Sequence, residues 1–178
     1  ESTETAIEAC EAAWAFYGGV YRVLVPDNTK AIVQQADPLK PLLNQSFLEY
    51  AQSRGMVIDP ARVRRPKDKA RVERSVRDVR DDCFAGECLR DMDGARARGL
   101  VWSRDEYAMR RHSTTGRMPR EHFEASELAE LRPAPTTPAD VVLWEDAKVG
   151  HDQHAPVGGA LYSLPKHFRG RTLRTRAD

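Results

Sequence analysis

The pattern of apolar positions predicts an alternation of helices and short strands over the first half of the chain. Ile7, Cys10, Trp14 and Tyr17 share one helical face, so a helix is expected over 4–17. Thr5 and Glu8 have capping-box spacing, and Gly18-Gly19 supplies the stop. The run Val20-Tyr21-Arg22-Val23-Leu24-Val25 has the length of a buried strand, closed by Pro26. Residues 29–43 hold Pro38 and Pro41 and read as an ordered loop. Asn44 is placed to cap a second helix, with Phe47, Tyr50 and Ala51 inward and Gly55 as its end. Met56-Val57-Ile58 reads as a second strand.

A third helix is expected over 67–84. Val72, Val76, Val79 and Cys83 fall at i, i+4, i+7 and i+11, the spacing of one buried face. Pro66 suits its first turn, where a missing N–H costs little. Helix–strand–helix–strand–helix is an α/β pattern. Further on, Ser103 and Glu106 suggest a cap opening a short helix, and 121–131 suggests another. Pro133, Pro135 and Pro138 mark 132–140 as a linker. After it the period changes to strands, at Val141-Val142-Leu143-Trp144, Ala160-Leu161-Tyr162-Ser163-Leu164 and Arg171-Thr172-Leu173-Arg174. Gly158-Gly159 fits a hairpin turn before the middle one. The expected organisation is an α/β unit over 1–92, a helical extension with linker over 93–140 and a small β module over 141–178.

Composition narrows the class without naming a function. At 178 residues, 40% of them hydrophobic and 31% charged, the chain has the balance of a water-soluble globular protein. No apolar run approaches the ~20 residues of a membrane-spanning helix. Three cysteines at no metal-like spacing read as reduced thiols, the state expected in a cytoplasm. His151 and His154 lack a third ligand, which weighs against zinc. Ser103 and Ser163 have no nearby His–Asp set, which weighs against a serine hydrolase.

Charge changes the picture in one place. The chain carries a net +1, yet residues 62–80 hold nine Arg or Lys against three Asp or Glu. Lys69, Glu73, Arg77 and Arg80 line up beside the apolar stripe of the third helix. The plain reading is a solvated face with i,i+4 pairs between Lys69, Glu73 and Arg77. The sharper reading is a phosphate-binding helix with an acidic metal ligand, which needs a second carboxylate. Asp27 is the candidate, because ligands of α/β sheets sit outside the carboxyl ends of the strands.

Three motifs together resemble one family. Phe16-Tyr17-Gly18-Gly19-Val20, Val23-Leu24-Val25-Pro26-Asp27-Asn28 and Arg65-Pro66-Lys67-Asp68-Lys69-Ala70-Arg71-Val72-Glu73 are similar to IstA-type bacterial insertion-sequence transposases. Gly159-Ala160-Leu161-Tyr162-Ser163-Leu164-Pro165, with Phe168-Arg169-Gly170-Arg171 after it, resembles their small C-terminal β-barrel. The resemblance implies a ribonuclease-H-like integrase catalytic core, with a triad of two Asp and one Glu on two Mg²⁺ or Mn²⁺ ions. Asp27 would match the second Asp and Glu73 the Glu, as catalytic and metal-binding residues. Arg64, Arg65, Lys67, Lys69, Arg71, Arg77 and Arg80 would bind DNA. The implied reaction is metal-dependent DNA cleavage and strand transfer in transposition. The implied partners are DNA, an ATPase and further copies of the transposase, at the bacterial nucleoid. The first Asp belongs on an opening strand that these residues do not include, so the chain reads as a fragment with two of three ligands. On its own it is expected to bind metal weakly and to do no chemistry. The alternative is a non-catalytic remnant or regulator that grips DNA or the transposase.

Overall fold

The computed structural model describes residues 2–37, 39–61 and 66–177, and their side chains except those of 66–71. Helix α1 runs Thr3–Tyr17. Its cap is Ser2, not Thr5: the Ser2 hydroxyl accepts from the Thr5 amide at 3.2 Å. Gly18, at φ +74°, ends the helix in the left-handed region. Ile7 and Trp14 are buried as the spacing predicts, whereas Cys10 is half-buried and Tyr17 exposed.

The strand expected over 20–25 divides in two. Strand β1, Gly19–Val20, and β2, Val23–Leu24, pair with different partners. The supposed loop that follows contains β3, Val33–Gln35, paired antiparallel with β4, Leu42–Leu43. Helix α2, Gln45–Ser53, is capped by Asn44 Oδ1, which accepts from the amides of Ser46 and Phe47. Phe47, Tyr50 and Ala51 are buried, as predicted. Strand β5, Val57–Ile58, pairs parallel with β2, so the chain is α/β as expected. That ladder outlasts the strands: Asp59 N donates to Leu24 O at 2.9 Å and Ala61 N to Pro26 O at 3.0 Å.

Helix α3, Pro66–Asp78, passes directly into a π-helical turn, Val79–Cys83. Its expected buried stripe is only partly covered. Cys83 is buried and Val79 half-buried, but Val72 and Val76 are 62% and 63% exposed. Helical spacing determines which side chains share a face; burial also needs an element opposite that face.

Helix α4, Met92–Val101, starts at Asp91, whose side chain caps the Gly94 amide at 2.7 Å. Ser103 therefore opens nothing. It lies inside a π turn, Trp102–Glu106, that carries α4 onward. Helix α5, Pro119–His122, continues in the same way through a π turn, Phe123–Glu127. Strand β6, Arg132–Pro133, falls in the supposed linker and pairs with β1. Gly19 permits this, since a Cβ there would meet Arg132 O at 2.6 Å.

The main core is built from α1, α2 and the short strands, around Phe47, Ile7, Trp14 and Val20. A second, smaller core lies between β7, Leu143–Lys148, and β8, His154–Val157, around Ala147, Val149, Ala155 and Val157. Strand β9, Ala160–Ser163, pairs with β8 through the Gly158-Gly159 turn, both glycines at positive φ. Strand β10, Thr172–Ala177, pairs with β7 over six residue pairs. Among the described residues these ladders do not join into a closed barrel. Trp144 ties this tail to the main core: its indole N–H donates to Glu49 Oε1 at 2.8 Å, and Arg176 reaches Glu49 Oε2 at 3.3 Å. No described helix is long and apolar enough to cross a membrane.

Candidate active site

Asp27 sits one residue beyond the parallel β2–β5 ladder, at its carboxyl end, and is exposed. Its placement is local chemistry. The Asn28 amide donates to Asp27 Oδ1 at 2.5 Å, and the Thr29 amide to the Asp27 carbonyl at 2.7 Å. The Asn28 side chain donates to the Ala61 carbonyl at 3.0 Å, so the loop after β2 is fastened to the loop after β5. Pro26, buried, has no N–H to donate, so it joins the ladder only through its carbonyl.

Glu73 lies near the middle of α3, on the helix after β5, and is exposed. Arg77 follows one turn on and is also exposed. Among the described residues the two make no ion pair, so the i,i+4 pair expected from spacing is absent there. Arg80 is placed in the π turn and turned to its neighbour: Nε and Nη2 reach Asp81 at 2.6 and 3.1 Å. That contact holds the Asp81 carboxyl below the usual range and offsets the Arg80 charge. The side chains of Lys67, Lys69 and Arg71 lie outside the described residues, as do Arg64 and Arg65. Among the described residues no group of three or more His, Cys, Asp or Glu could hold a metal ion. His151 instead accepts from Arg169, with Nη2 at 2.7 Å.

A second feature lies on the other flank of α3. Ser75, two residues or about 200° around the helix from Glu73, lines a cavity of about 710 Å³. Its walls are aromatic: Tyr17, Tyr21, Trp102, Tyr107 and Phe123 all face it. Each of the three π turns among the described residues contributes, through Val79, Trp102 and Phe123. The extra residue in a π turn widens the helix and redirects side chains, and such turns recur at functional sites. Sequence periodicity missed this cavity, because a π turn breaks the 3.6-residue count that the reading relies on.

One wall has a pH-dependent tie. Asp82 accepts from Arg110 Nη1 at 2.5 Å and from the Trp102 indole at 3.0 Å. These hydrogen bonds, Arg110 first, hold its carboxyl below the ordinary range. A depressed folded-state value adds stability that is present above the unfolded pKa and is lost as pH falls through the folded one. In a protein keeping only Trp102 of its three tryptophans, the emission should therefore hold steady from neutrality to about pH 4 and move red below it. Asp82→Asn should show the red-shifted signal at neutral pH; an unshifted spectrum would mean the tie does not order Trp102.

No family model matches the chain. Similar sequences are nonetheless found along nearly its whole length. A protein of Mycobacterium tuberculosis named as a transposase is 36% identical over 175 residues, covering 97% of this chain and 43% of the relative. A Sinorhizobium fredii protein named as a transposase is 33% identical, covering 96% of this chain and 34% of the relative. The transposase for insertion sequence element IS21 of Pseudomonas aeruginosa is 26% identical, covering 99% of this chain and 45% of the relative. The chain thus spans between a third and a half of the length of these relatives.

Proposed function

Because the chain belongs to the insertion-sequence transposases of the IstA type over nearly its whole length, we propose that it is the catalytic-core part of such an enzyme. In this reading the α/β part is a ribonuclease-H-like core, 93–140 its helical extension, and 141–178 a barrel-like β module. The complete protein cleaves DNA and transfers strands during transposition. The observation that carries the reading is the position of Asp27, at the carboxyl end of a parallel strand pair with a carboxylate-bearing helix following the second strand.

The donor chemistry fits a hard divalent cation, since Asp27 and Glu73 offer exposed carboxylate oxygens. They would hold Mg²⁺ or Mn²⁺, which when bound supplies Lewis-acid polarisation of a phosphoryl oxygen. Asp27 contributes a carboxylate oriented by the Asn28 amide. Arg77, exposed beside Glu73, contributes charge for the DNA backbone, together with Arg64, Arg65, Lys67, Lys69 and Arg71. Arg80 contributes less, because Asp81 occupies its fork. DNA ends and target, a partner ATPase and further copies of the transposase are the partners this reading carries, acting at the nucleoid.

A second reading is a non-catalytic protein that grips DNA or the transposase, and the exposed cations of α3, Arg77 among them, suit that grip equally well. The experiment that separates them uses the protein at the full length of its relatives, with labelled element ends and a plasmid target. Nicked and joined products that appear with Mg²⁺ or Mn²⁺ and vanish with chelator are the expected result. DNA binding without product under either cation would leave the binding protein as the account.

A further inference from the structure

Residues 107–120 hold four arginines and one histidine, with no Asp or Glu. Within this run, residues 110–117 are all exposed and join the π-extended α4 to α5. Resting on the reading that the chain works on DNA, we propose that the loop 110–118 is a second grip for the nucleic-acid backbone. It is separate from the basic helix α3 and holds phosphate chiefly through Arg111 and Arg117.

The arginines of residues 107–120 divide into two kinds. Arg110 and Arg120, the outer two, are spent on the helices: Arg110 on Asp82 and Arg120 on Glu124 at 2.9 Å. Arg111 and Arg117 have no carboxylate partner among the described residues. Most arginines of the neighbouring helices do. Arg96 pairs with Asp93, Arg98 with Glu87 and Glu106, and Arg104 with Asp105. Between Met92 and Glu130 the other five arginines are all paired with carboxylates, and these two stand on one exposed turn. An exposed guanidinium without a carboxylate is suited to a phosphate, whose oxygens match its planar fork.

The turn is also already ordered. His112 N donates to Arg117 O at 2.9 Å and Gly116 N to His112 O at 2.8 Å, so the two arms are tied across the loop. Gly116, at φ +66°, makes the reversal without strain. Thr114 N donates to His112 Nδ1, and Arg111 Nη1 to Gly116 O at 3.0 Å, which anchors that guanidinium beside the tip. Ser113, Thr114 and Thr115 place three hydroxyls between the two arginines. A pre-ordered basic loop loses little conformational entropy on binding. Contacts that these two arginines make to phosphates position the duplex without choosing a sequence.

The test is anisotropy titration of labelled duplexes of unrelated sequence with the 178-residue chain, over a series of salt concentrations. The Arg111→Gln/Arg117→Gln variant should bind every duplex more weakly and lower the slope of log affinity against log salt by about 1.8, that is ~0.9 per phosphate contact. Arg117→Lys, which keeps the charge, should retain most of the slope. Unchanged tryptophan emission checks that the fold is intact. If the loop variant binds as the parent does while Lys69→Ala/Arg77→Ala binds weakly, the loop grip is wrong and DNA binding by α3 stands. If the parent chain itself shows no salt-dependent binding, both the grip and the DNA reading fall.

Discussion

Glu11→Ala should lower the unfolding free energy by about 3 kcal/mol, the low end of the cost of breaking a buried ion pair from one side. Arg54 is the reason. Its side chain is only 8% exposed, and Glu11 binds it twice, Nε to Oε1 at 2.8 Å and Nη2 to Oε2 at 3.0 Å. Tyr50 donates its hydroxyl to the same Glu11 Oε1 at 2.7 Å and accepts from the Trp14 indole at 2.9 Å. Arg54 also reaches the Thr137 carbonyl at 2.9 Å, so one guanidinium joins α1, α2 and the segment before the β tail. Removing the carboxylate strands a charge in a place with little water. The loss should appear in urea as a lower midpoint with an unchanged slope. Glu11→Ala/Arg54→Met should recover part of it, because an apolar pair costs less than a lone buried cation. A loss under about 0.5 kcal/mol, the range of ordinary surface substitutions, would mean that water reaches Arg54 freely.

Glu73→Gln in the full-length protein should cut metal-dependent DNA cleavage on the order of 10³-fold. A cation at a phosphoryl centre contributes several kcal/mol of transition-state stabilisation, and each 1.36 kcal/mol is a factor of ten. Glutamine keeps the size and the hydrogen-bonding ends of the side chain but loses the charge that would hold the ion in the proposed site. Glu73 is exposed, so folding should not change. DNA affinity should stay level or rise slightly, since one negative charge leaves a basic helix. Cleavage within about tenfold of the parent would remove Glu73 from the catalytic set, because tenfold is only ~1.4 kcal/mol. Loss of DNA binding along with cleavage would assign Glu73 to the fold instead.

The elements that could be read from the residues are those governed by neighbours a few positions away. Helix α2 is the clearest: Asn44 caps it, Phe47, Tyr50 and Ala51 are buried, and Gly55, at φ +66°, follows its end. The Gly158-Gly159 turn is another. Where two local signals competed, the pattern misled. Ser2 took the cap that Thr5 also offered, and Asp91 started α4 well before Ser103. Of the candidate site, the strand-end position of Asp27 and the helical position of Glu73 were legible, because each depends on one element. The aromatic cavity was not, because Tyr17, Trp102 and Phe123 are brought to it by three separate elements, two of them π turns.

Periodicity, caps and turn residues act through hydrogen bonds and sterics over three or four residues, so the chain by itself determined where most helices and three of the four tail strands lie, β8 being the one the pattern did not mark. Pairing and coverage act between residues far apart. Only the tertiary structure decided that Val23 faces Val57 in parallel, and that Gly19 pairs with Pro133 across a supposed linker. It also decided that Val72 and Val76 stand exposed although their spacing marks a buried face. A helix sets the direction in which a side chain points, but its burial depends on what packs opposite, and no local rule carries that information.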